Sequence, residues 1–575
     1  MRALTPRRAA GSLLAVATFL KHFRTVSGLT VVSRLTGLAR DAALAYILGA
    51  GWVMDAYSMA FRMPNLLRQL LGEGALTAAF IPVFTDYLEK SGRQAANRFM
   101  SLLIVMLLAA LAALTLTADG VFLLARYLTE AGTKWHLIFG LAAVLFPFGI
   151  MVCLVALLQA ALNCRQHFAV PALAPVVLNL CIIAGATAAS FWFIADPVAQ
   201  VYFIAAVVLV AGVVEILIQA PVMRRLGLVF RPVWDLKDAG LWRVLRLMGP
   251  VVVAVGVVQI NVFMDSVIAN VLSPNTPGDE CFQLGSWTIA YPMKIGAASV
   301  LYYGPLFYSS ALGVFGIALA TVIFPVLSQY AVRKDFAGMA RTASHALRLA
   351  IFIGVPVGLG IILVCEPAIR LCLNHGRFAD PQQSPQAVER TAWVASLFAL
   401  GLGFYAVNHI LNRAFYAMEE IRTPRRVAML AAGLNFVCNL LLVWPMAEGG
   451  LALATVVSAI FQTVVLAWLL DRRLRAQFEW RAIGQSAART LLASAVMGLA
   501  AWATVYAAIP ALPLTGAWLY AAQLAAAAAV GGLVFAAAAK ALDMTELHDL
   551  LAGAPAAPPA ATKSDEEPLD PPRPV

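Results

Sequence analysis

Apolar segments of 18 or more residues follow one another along almost the whole of this chain. Of its 575 residues, 61% are hydrophobic and 12% are charged, against about 25% charged residues in soluble globular domains. Segments of that length fit helices that cross a bilayer, whereas the strands of a membrane barrel alternate over about 10 residues. The sequence therefore predicts an all-α polytopic membrane protein.

We predict about fourteen transmembrane helices from these segments. They cover residues 27–48, 55–88, 98–126, 134–162, 169–195, 198–224, 240–272, 298–331, 340–366, 388–417, 423–445, 449–471, 484–509 and 514–540. Loops rich in Lys and Arg alternate with loops that have none, such as 49–54 and 509–514. Because basic loops face the cytoplasm, both termini are predicted to be cytoplasmic. The same rule explains the formal net charge of +11 without a nucleic-acid partner.

An internal repeat divides the spans into two sets of six. The stretch Phe80-Ile-Pro82-Val83 near the end of the second span returns as Ile323-Phe-Pro325-Val326 in the eighth. An even number of spans separates the copies, which predicts two six-helix lobes in a parallel pseudo-twofold repeat plus two C-terminal helices. The predicted units are a cytoplasmic extension (1–26), an N-lobe (27–224), a C-lobe (225–471), two extra spans (472–545) and a disordered cytoplasmic tail (546–575).

Four arginines lie well inside the first two spans, at Arg34, Arg40, Arg62 and Arg68. A charge at the bilayer centre costs at least about 2.5–3.5 kcal/mol, so each one needs a polar environment. A water-filled cavity that binds an anion satisfies all four, because guanidinium groups stay protonated and grip phosphate oxygens in pairs. The alternative is that some of them reach headgroups or pair with Asp41 and other acids.

The residues around these arginines resemble a known family. Ser33-Arg34-x-x-Gly37-x-Ala39-Arg40-Asp41, Phe61-Arg62-x-Pro64-Asn65-Leu66-Leu67-Arg68 and Glu73-Gly74-Ala75 are similar to motifs of the MurJ (MviN) lipid II flippases. That family belongs to the multidrug/oligosaccharidyl-lipid/polysaccharide exporter superfamily. The resemblance covers nearly the whole chain and implies the same fourteen-helix layout.

The resemblance implies that Arg34, Arg40 and Arg68 line a central cavity and bind the pyrophosphate of lipid II. Asp55, Arg62 and Glu73 match further polar positions of the same cavity. We include Asp41 in this candidate site, because it shares a helical face with Arg34. The two extra C-terminal spans would form a groove for the polyprenyl chain.

The chain departs from the family in its eighth span. Leu306 stands where the family has another essential arginine, and a longer loop, 273–299, precedes it. We hypothesise that Lys294 in this loop supplies the missing charge from the rim of the cavity. A divergent paralogue with altered or impaired transport is the alternative.

A second polar cluster is predicted in the C-lobe. Asp265 lies deep in the seventh span, Asn435 and Asn439 lie one turn apart in the eleventh, and Thr455 follows in the twelfth. Carboxylate, amide and hydroxyl oxygens suit a hard cation, and some MurJ-like proteins hold a sodium ion between the same helices. Na⁺ is thus a candidate coupling ion and no other cofactor is expected. Interhelical hydrogen bonding is the alternative.

The sequence thus predicts a transporter, not an enzyme, and no P-loop for ATP hydrolysis is found. It would flip lipid II from the cytoplasmic to the periplasmic leaflet of the bacterial inner membrane by alternating access. Expected partners are lipid II, membrane lipid and the machinery of cell-wall synthesis. Another exporter of the superfamily, or a non-transporting scaffold for envelope synthesis, remains open.

Overall fold

The computed structural model describes residues 28–193, 196–475 and 477–552. The N-terminal half of this part is helical. Its helices are α1 (28–48), α2 (Trp52–Leu67), α3 (Thr77–Lys90), α4 (Gly92–Leu128), α5 (Lys134–Leu145), α6 (Phe148–Cys164), α7 (Ala169–Trp192) and α8 (Pro197–Arg225). A π-helical segment, Arg68–Leu76, joins α2 to α3.

The C-terminal half continues the helical pattern. Its helices are α9 (Ala239–Val271), α10 (Ala297–Tyr303), α11 (Leu306–Arg333), α12 (Phe336–Cys372), α13 (Ala387–Leu400), α14 (Leu402–Ala417), α15 (Arg422–Met446), α16 (Glu448–Arg473), α17 (Trp480–Ala503), α18 (Gly516–Ala541) and α19 (Thr545–Ala552). A 3₁₀ turn, Gly376–Phe378, lies between α12 and α13, and a π-helical turn, Thr504–Ala508, extends α17.

All fourteen predicted spans coincide with helical segments. Within the described residues, ten are long and apolar enough to cross a membrane, or up to twelve if two bent pairs each count as one span. The other two predicted spans, 27–48 and 55–88, are the ones that carry the four arginines, and their charged residues lower their mean hydropathy. The polytopic all-α class is confirmed, and the number fourteen stays a prediction.

Several spans are broken where the sequence interrupts the helical hydrogen bonds. The fourth predicted span breaks before Pro147 and the eighth at Gly304-Pro305. A proline lacks the backbone N–H that the preceding turn needs, so these breaks follow from the sequence. The tenth span bends by 42° between α13 and α14, at Gly401.

The loop 273–299 contains a β-hairpin that the sequence did not predict. Strands β1 (Cys281–Leu284) and β2 (Trp287–Ala290) pair in antiparallel register, with Cys281 opposite Ala290. Gly285 in the two-residue turn has φ +64°, a conformation that hairpin turns of this length require. Residues 291–296 connect the hairpin to α10.

We call the end of the bundle with the basic loops the inner end, and the opposite end the outer end. The outer halves of α1, α2, α5, α7 and α8 share a large apolar core. A second core joins α11, α12, α14 and α16 toward the inner end. The outer core also includes C-lobe residues of α10, α12 and α13, such as Tyr303, Ile369 and Ala395, so the lobes pack against each other at the outer end. The polar residues of the first two spans lie where the lobes meet.

The prediction of a disordered tail from 546 is wrong for its first residues, because Thr545–Ala552 forms α19. Glu546 is buried and holds this helix in place. Its carboxylate accepts hydrogen bonds from Arg348 of α12 and Ser486 of α17, each at 2.7 Å. The predicted extension 1–26 and the remaining tail, 553–575, lie outside the described residues.

The docking of α19 should weaken at low pH. Burial alone would raise the pKa of Glu546, but the hydrogen bonds from Ser486 and the Arg348 guanidinium outweigh it, and its pKa lies below the ordinary value. The stabilisation is therefore present above the usual glutamate pKa of about 4.3 and is lost as the pH falls below it. Protection factors of the α19 amides at pH 6 and pH 3.5 measure this. The Glu546→Gln variant should lose the pH dependence, and equal protection of the wild type at both pH values would contradict the assignment.

Candidate functional site

A cavity of about 290 Å³ lies between the two lobes. Three of the four arginines of the first two spans, Arg40, Arg62 and Arg68, line it together. The other lining residues are Ser58, Phe61, Asn65, Leu66, Gln69, Leu178, Gln259, Val262, Phe263 and Tyr302. The cavity is thus built from α1, α2, the π-helical segment and α7 on one side and from α9 and α10 on the other.

Arg40 is held in a network of four side chains. Its Nε and Nη2 donate to Asp41 Oδ1 at 2.9 and 2.7 Å, and its Nη1 donates to Asn179 Oδ1 at 3.1 Å. The hydroxyl of Tyr302 donates to the same Asp41 oxygen at 3.0 Å. Asp41 is buried and does not line the cavity. It orients Arg40, so it supports the predicted site without facing the ligand.

Arg62 and Arg68 lie six residues apart along the second span. Arg62 is half-buried, and its Nη1 donates to the carbonyl oxygen of Val262 in α9 at 2.8 Å. Arg68 begins the π-helical segment, which shifts the residues after it around the helix relative to a regular α-helix. The side chain of Glu73, in the same segment, lies outside the described part of the structure.

The charge of the cavity favours an anion. Among the residues whose side chains the structure describes, three guanidinium groups line it, and the carboxylate of Asp41 is bonded to one of them. Guanidinium groups bind phosphate oxygens through two parallel N–H donors, and such bonds are strong where water is scarce. A diphosphate, with oxygens on two phosphorus atoms, can engage several of these groups together.

Arg34 lies in a different place from the other three arginines. It lines a separate pocket of about 460 Å³ with Thr30, Ser33, Asn163, Phe168, Pro171, Ala172 and Pro175. Its guanidinium also contacts α11 so closely that a Cβ atom at Gly313 would collide with it. Arg34 therefore lies toward the inner end, where α1 and α11 meet, and the predicted single cavity with all four arginines is wrong in this conformation.

Asp55 closes the outer end instead of lining the cavity, so that prediction is wrong as well. Its carboxylate is buried and accepts hydrogen bonds from the backbone N–H groups of Gly296 and Ser299, at 2.8 and 2.7 Å. The Ser299 hydroxyl adds a third bond at 2.6 Å. Because the first N–H groups of a helix lack partners and carry partial positive charge, a carboxylate from α2 binds the start of α10 firmly.

Further contacts join the lobes at the outer end. The buried ammonium of Lys134, at the start of α5, donates to the hydroxyl and the carbonyl oxygen of Ser273, at 2.8 and 3.2 Å. Arg377 in the 3₁₀ turn donates to the carbonyl oxygen of Ile47 at 2.8 Å, where α1 ends. In this conformation the outer end is therefore closed by several polar contacts between the lobes.

Replacing Gly296 by alanine should weaken this closure. Gly296 has φ +87°, and a Cβ there would collide with the carbonyl oxygen of Ala50. Gly285 is a matched control, since its φ is also positive but a Cβ there meets nothing within 4 Å. We expect Gly285→Ala to cost about 1–2 kcal/mol locally and Gly296→Ala roughly 1–3 kcal/mol more. Thermal unfolding of both variants in detergent measures the difference, and equal midpoints would show that the contact is not tight.

Lys294 does not replace the missing arginine. It is exposed in the outer loop before α10, and its ammonium donates to Gln386 at 2.9 Å. Since α10 starts at the outer end against Asp55, the residue just before it cannot reach the arginine cavity. Leu306, at the position of the family's arginine, is partly buried and packs against the apolar core at the outer end.

The structure brings the four residues of the predicted ion cluster together. Asn439 Nδ2 donates to Asp265 Oδ1 at 2.6 Å and to Asn435 Oδ1 at 2.9 Å. Asn435 Nδ2 in turn donates to the Thr455 hydroxyl at 3.4 Å. Among the described residues, the buried Oδ1 atom of Asn439 has no hydrogen-bond donor. A free amide oxygen beside a single carboxylate offers the kind of oxygen ligands that hard cations take.

The two clusters occupy equivalent places in the two lobes. Arg40 on α1 bonds Asn179 on α7, while Asp265 on α9 bonds Asn439 on α15. These are the first and fifth spans of each predicted repeat. The same helix pair therefore carries a basic group in the N-lobe and an acidic group in the C-lobe.

Some lining residues were missed by the sequence analysis. Asn65 and Gln69 follow Arg62 at helical spacings of three and seven, and that periodicity could have identified them. Tyr302 and Gln259 come from the other lobe, so no local pattern links them to the arginines.

Two apolar pockets flank the C-terminal helices. One, of about 580 Å³, lies between α12, α14, α16 and α17, and the other, of about 560 Å³, lies between α12, α17, α18 and α19. Residues such as Ile353, Val357 and Phe535 line the second pocket. Both therefore offer apolar surface beside the lobes, where the extra spans were predicted to form a groove.

Comparison with known proteins identifies the family. The family model described as lipid II flippase MurJ matches residues 44–510. The chain belongs to the MurJ family. A probable lipid II flippase MurJ of Vibrio cholerae is 32% identical over 461 residues, which are 78% of this chain and 82% of the relative. Its counterpart in Rhizobium tropici is 30% identical over 487 residues, 84% of this chain and 86% of the relative.

Solved structures share the MurJ fold. A lipid II flippase MurJ in an inward closed conformation matches with a TM-score of 0.69 at 21% identity, covering 92% of this chain and 99% of that one. An inward-facing multidrug transporter of the MATE family in the MOP superfamily matches with a TM-score of 0.58 at 13% identity, covering 79% of this chain and 98% of that one. The predicted family is confirmed, and MurJ membership fits the two-lobe architecture around the arginine cavity.

Proposed function

We propose that the protein flips lipid II across the bacterial inner membrane by alternating access, with Arg40, Arg62 and Arg68 binding the diphosphate. The observation that carries this proposal is that these three guanidinium groups line one cavity between the lobes. Membership of the MurJ family and the names of the two relatives support the same substrate.

In this proposal the two ends of the bundle open in turn. The outer end is held closed by hydrogen bonds that join Asp55 of α2 to the start of α10 and Lys134 to Ser273. At the inner end, Arg34 lies beside Gly313, so separation of α1 and α11 would free its guanidinium to meet the headgroup first. The diphosphate would then pass to Arg40, Arg62 and Arg68.

The apolar chain of the lipid would stay in the bilayer beside the C-lobe. The pockets between α12, α17 and α18 supply apolar surface there, so the chain need not enter the charged cavity. Opening toward the outside would be driven by a cation at the Asp265 cluster or by the membrane potential, which supplies about 2.3 kcal/mol per charge per 100 mV.

Complementation of a strain depleted of its lipid II flippase tests the function. We expect the wild type to restore growth and both Arg40→Ala and Arg68→Ala to fail at equal membrane levels. Rescue by all three would indicate a scaffold, and failure of the wild type would indicate another substrate. Because Leu306 packs against an apolar core, Leu306→Arg is expected to reduce rescue rather than improve it.

A further inference from the structure

Arg62 lies between the arginine cavity and the Asp265 cluster. It lines the cavity with Arg40 and Arg68, and its Nη1 donates to the carbonyl oxygen of Val262 on α9 at 2.8 Å. Val262 lies three residues, about one helical turn, before Asp265. A guanidinium from the N-lobe is therefore fastened to the C-lobe helix that carries the cluster.

The charges of Arg62 and Asp265 act on each other. The two residues lie on the contacting helices α2 and α9, near enough for their opposite charges to attract each other. Asp265 also accepts a hydrogen bond from Asn439 at 2.6 Å. The one carboxylate of the cluster thus faces amides on α15 and a positive charge on α2.

The other two arginines of the cavity are placed differently. Arg40 is paired with Asp41 on its own helix, and its further partners are Asn179 and Tyr302. Arg68 lies six residues beyond Arg62, about 9 Å along the helix. Arg62 is therefore the cavity arginine whose charge reaches the cluster.

We propose that Arg62 couples diphosphate binding in the cavity to cation binding at the Asp265 cluster, an inference that rests on the proposed function. With the cavity free of an anion, the positive charge of Arg62 offsets the carboxylate of Asp265 and repels a second cation. A bound diphosphate neutralises Arg62 and draws it toward the cavity, so a cation binds Asp265 more tightly. Because such coupling is reciprocal, the cation strengthens diphosphate binding by the same factor.

This assignment explains why an arginine and an aspartate lie on facing helices of different lobes. An anionic headgroup and a cation would be bound together, which lowers the net charge that the lobes enclose when they rearrange. Arg62 acts here as a positioning residue for the ion as well as a ligand for the anion.

Titration calorimetry of the purified full-length protein tests the coupling, with Na⁺ as the cation and choline chloride holding the ionic strength constant. The Arg62→Gln variant keeps a donor for Val262 but loses the charge, and we expect Na⁺ to bind it roughly tenfold more tightly than the wild type. Arg62→Lys keeps the charge and should stay within about threefold of the wild type. Asp265→Asn should abolish the Na⁺ signal.

A second titration uses geranyl diphosphate as the anion. At saturation it should tighten Na⁺ binding to the wild type roughly tenfold and leave Arg62→Gln unchanged. Equal Na⁺ affinities of wild type and Arg62→Gln would overturn the inference, as would the absence of Na⁺ binding in both. If geranyl diphosphate binds without changing Na⁺ affinity, the coupling fails while the proposed function stands. If geranyl diphosphate does not bind, the proposed function fails. The Na⁺ affinities of the wild type and Arg62→Gln, measured without geranyl diphosphate, still decide the role of Arg62.

Discussion

Replacing Arg68 by alanine is expected to weaken binding of undecaprenyl diphosphate roughly 100-fold, the usual effect of truncating one partner of a desolvated charge pair. Arg68 lines the cavity and begins the π-helical segment. Arg40→Ala should cause a similar loss and also lower stability, because Asp41 would remain buried without the guanidinium that it accepts hydrogen bonds from. Binding to the purified variants, with thermal unfolding measured in parallel, separates the two effects.

The matched control is an intramembrane arginine outside the cavity. Arg413 on α14 is half-buried and lies 5.4 Å from the centre of the Phe324 ring. Arg413→Ala should leave binding of undecaprenyl diphosphate within about threefold of the wild type, since Arg413 does not line the cavity and its contact with Phe324 is a cation–π contact. If Arg413→Ala and Arg68→Ala weakened binding equally, binding would follow overall charge and not the cavity.

Replacing Asp55 by alanine is expected to open the outer end. The variant loses three hydrogen bonds from Gly296 and Ser299 to a carboxylate, and each such bond contributes about 1.5–3 kcal/mol. A loss of this size moves a two-state equilibrium by tenfold or more. Ser58 is buried and lines the cavity, so a Ser58→Cys reporter should react much faster with an impermeant thiol reagent added outside.

The reporter needs a suitable background and a graded control. Cys281 in the hairpin is exposed and is replaced by Ser throughout. Asp55→Asn keeps one acceptor oxygen but loses the charge, so its labelling rate should lie between those of the wild type and Asp55→Ala. Unchanged labelling in Asp55→Ala would mean that this carboxylate is not what closes the outer end.

The helices could be predicted because their signal is local. Fourteen apolar segments marked fourteen helical stretches, and the arginines at 40, 62 and 68 marked the cavity, since a charge in a span demands a polar environment. Asn179 and Asn435 lie in the fifth and eleventh spans, which are equivalent in the predicted repeat, and the structure shows that each joins a charged cluster.

The errors came from contacts between distant parts of the chain. Asp55 was assigned to the cavity, but its partners Gly296 and Ser299 lie 241 and 244 residues away. Lys294 was assigned to the cavity by its charge alone. The sequence did not show that α10 starts at the outer end, which keeps Lys294 away from the cavity. Arg34 was grouped with the other arginines because all four lie well inside their spans. The position of a residue along a helix does not show which neighbouring helix its side chain contacts. The π-helical segment that follows α2 has no signal in apolar periodicity.

The most direct test is a cryo-EM map of the protein with undecaprenyl diphosphate in nanodiscs. The account predicts density for both phosphate groups within hydrogen-bonding distance of at least two of Arg40, Arg62 and Arg68. Phosphate density at the membrane surface, with these guanidinium groups facing only protein partners, would contradict it.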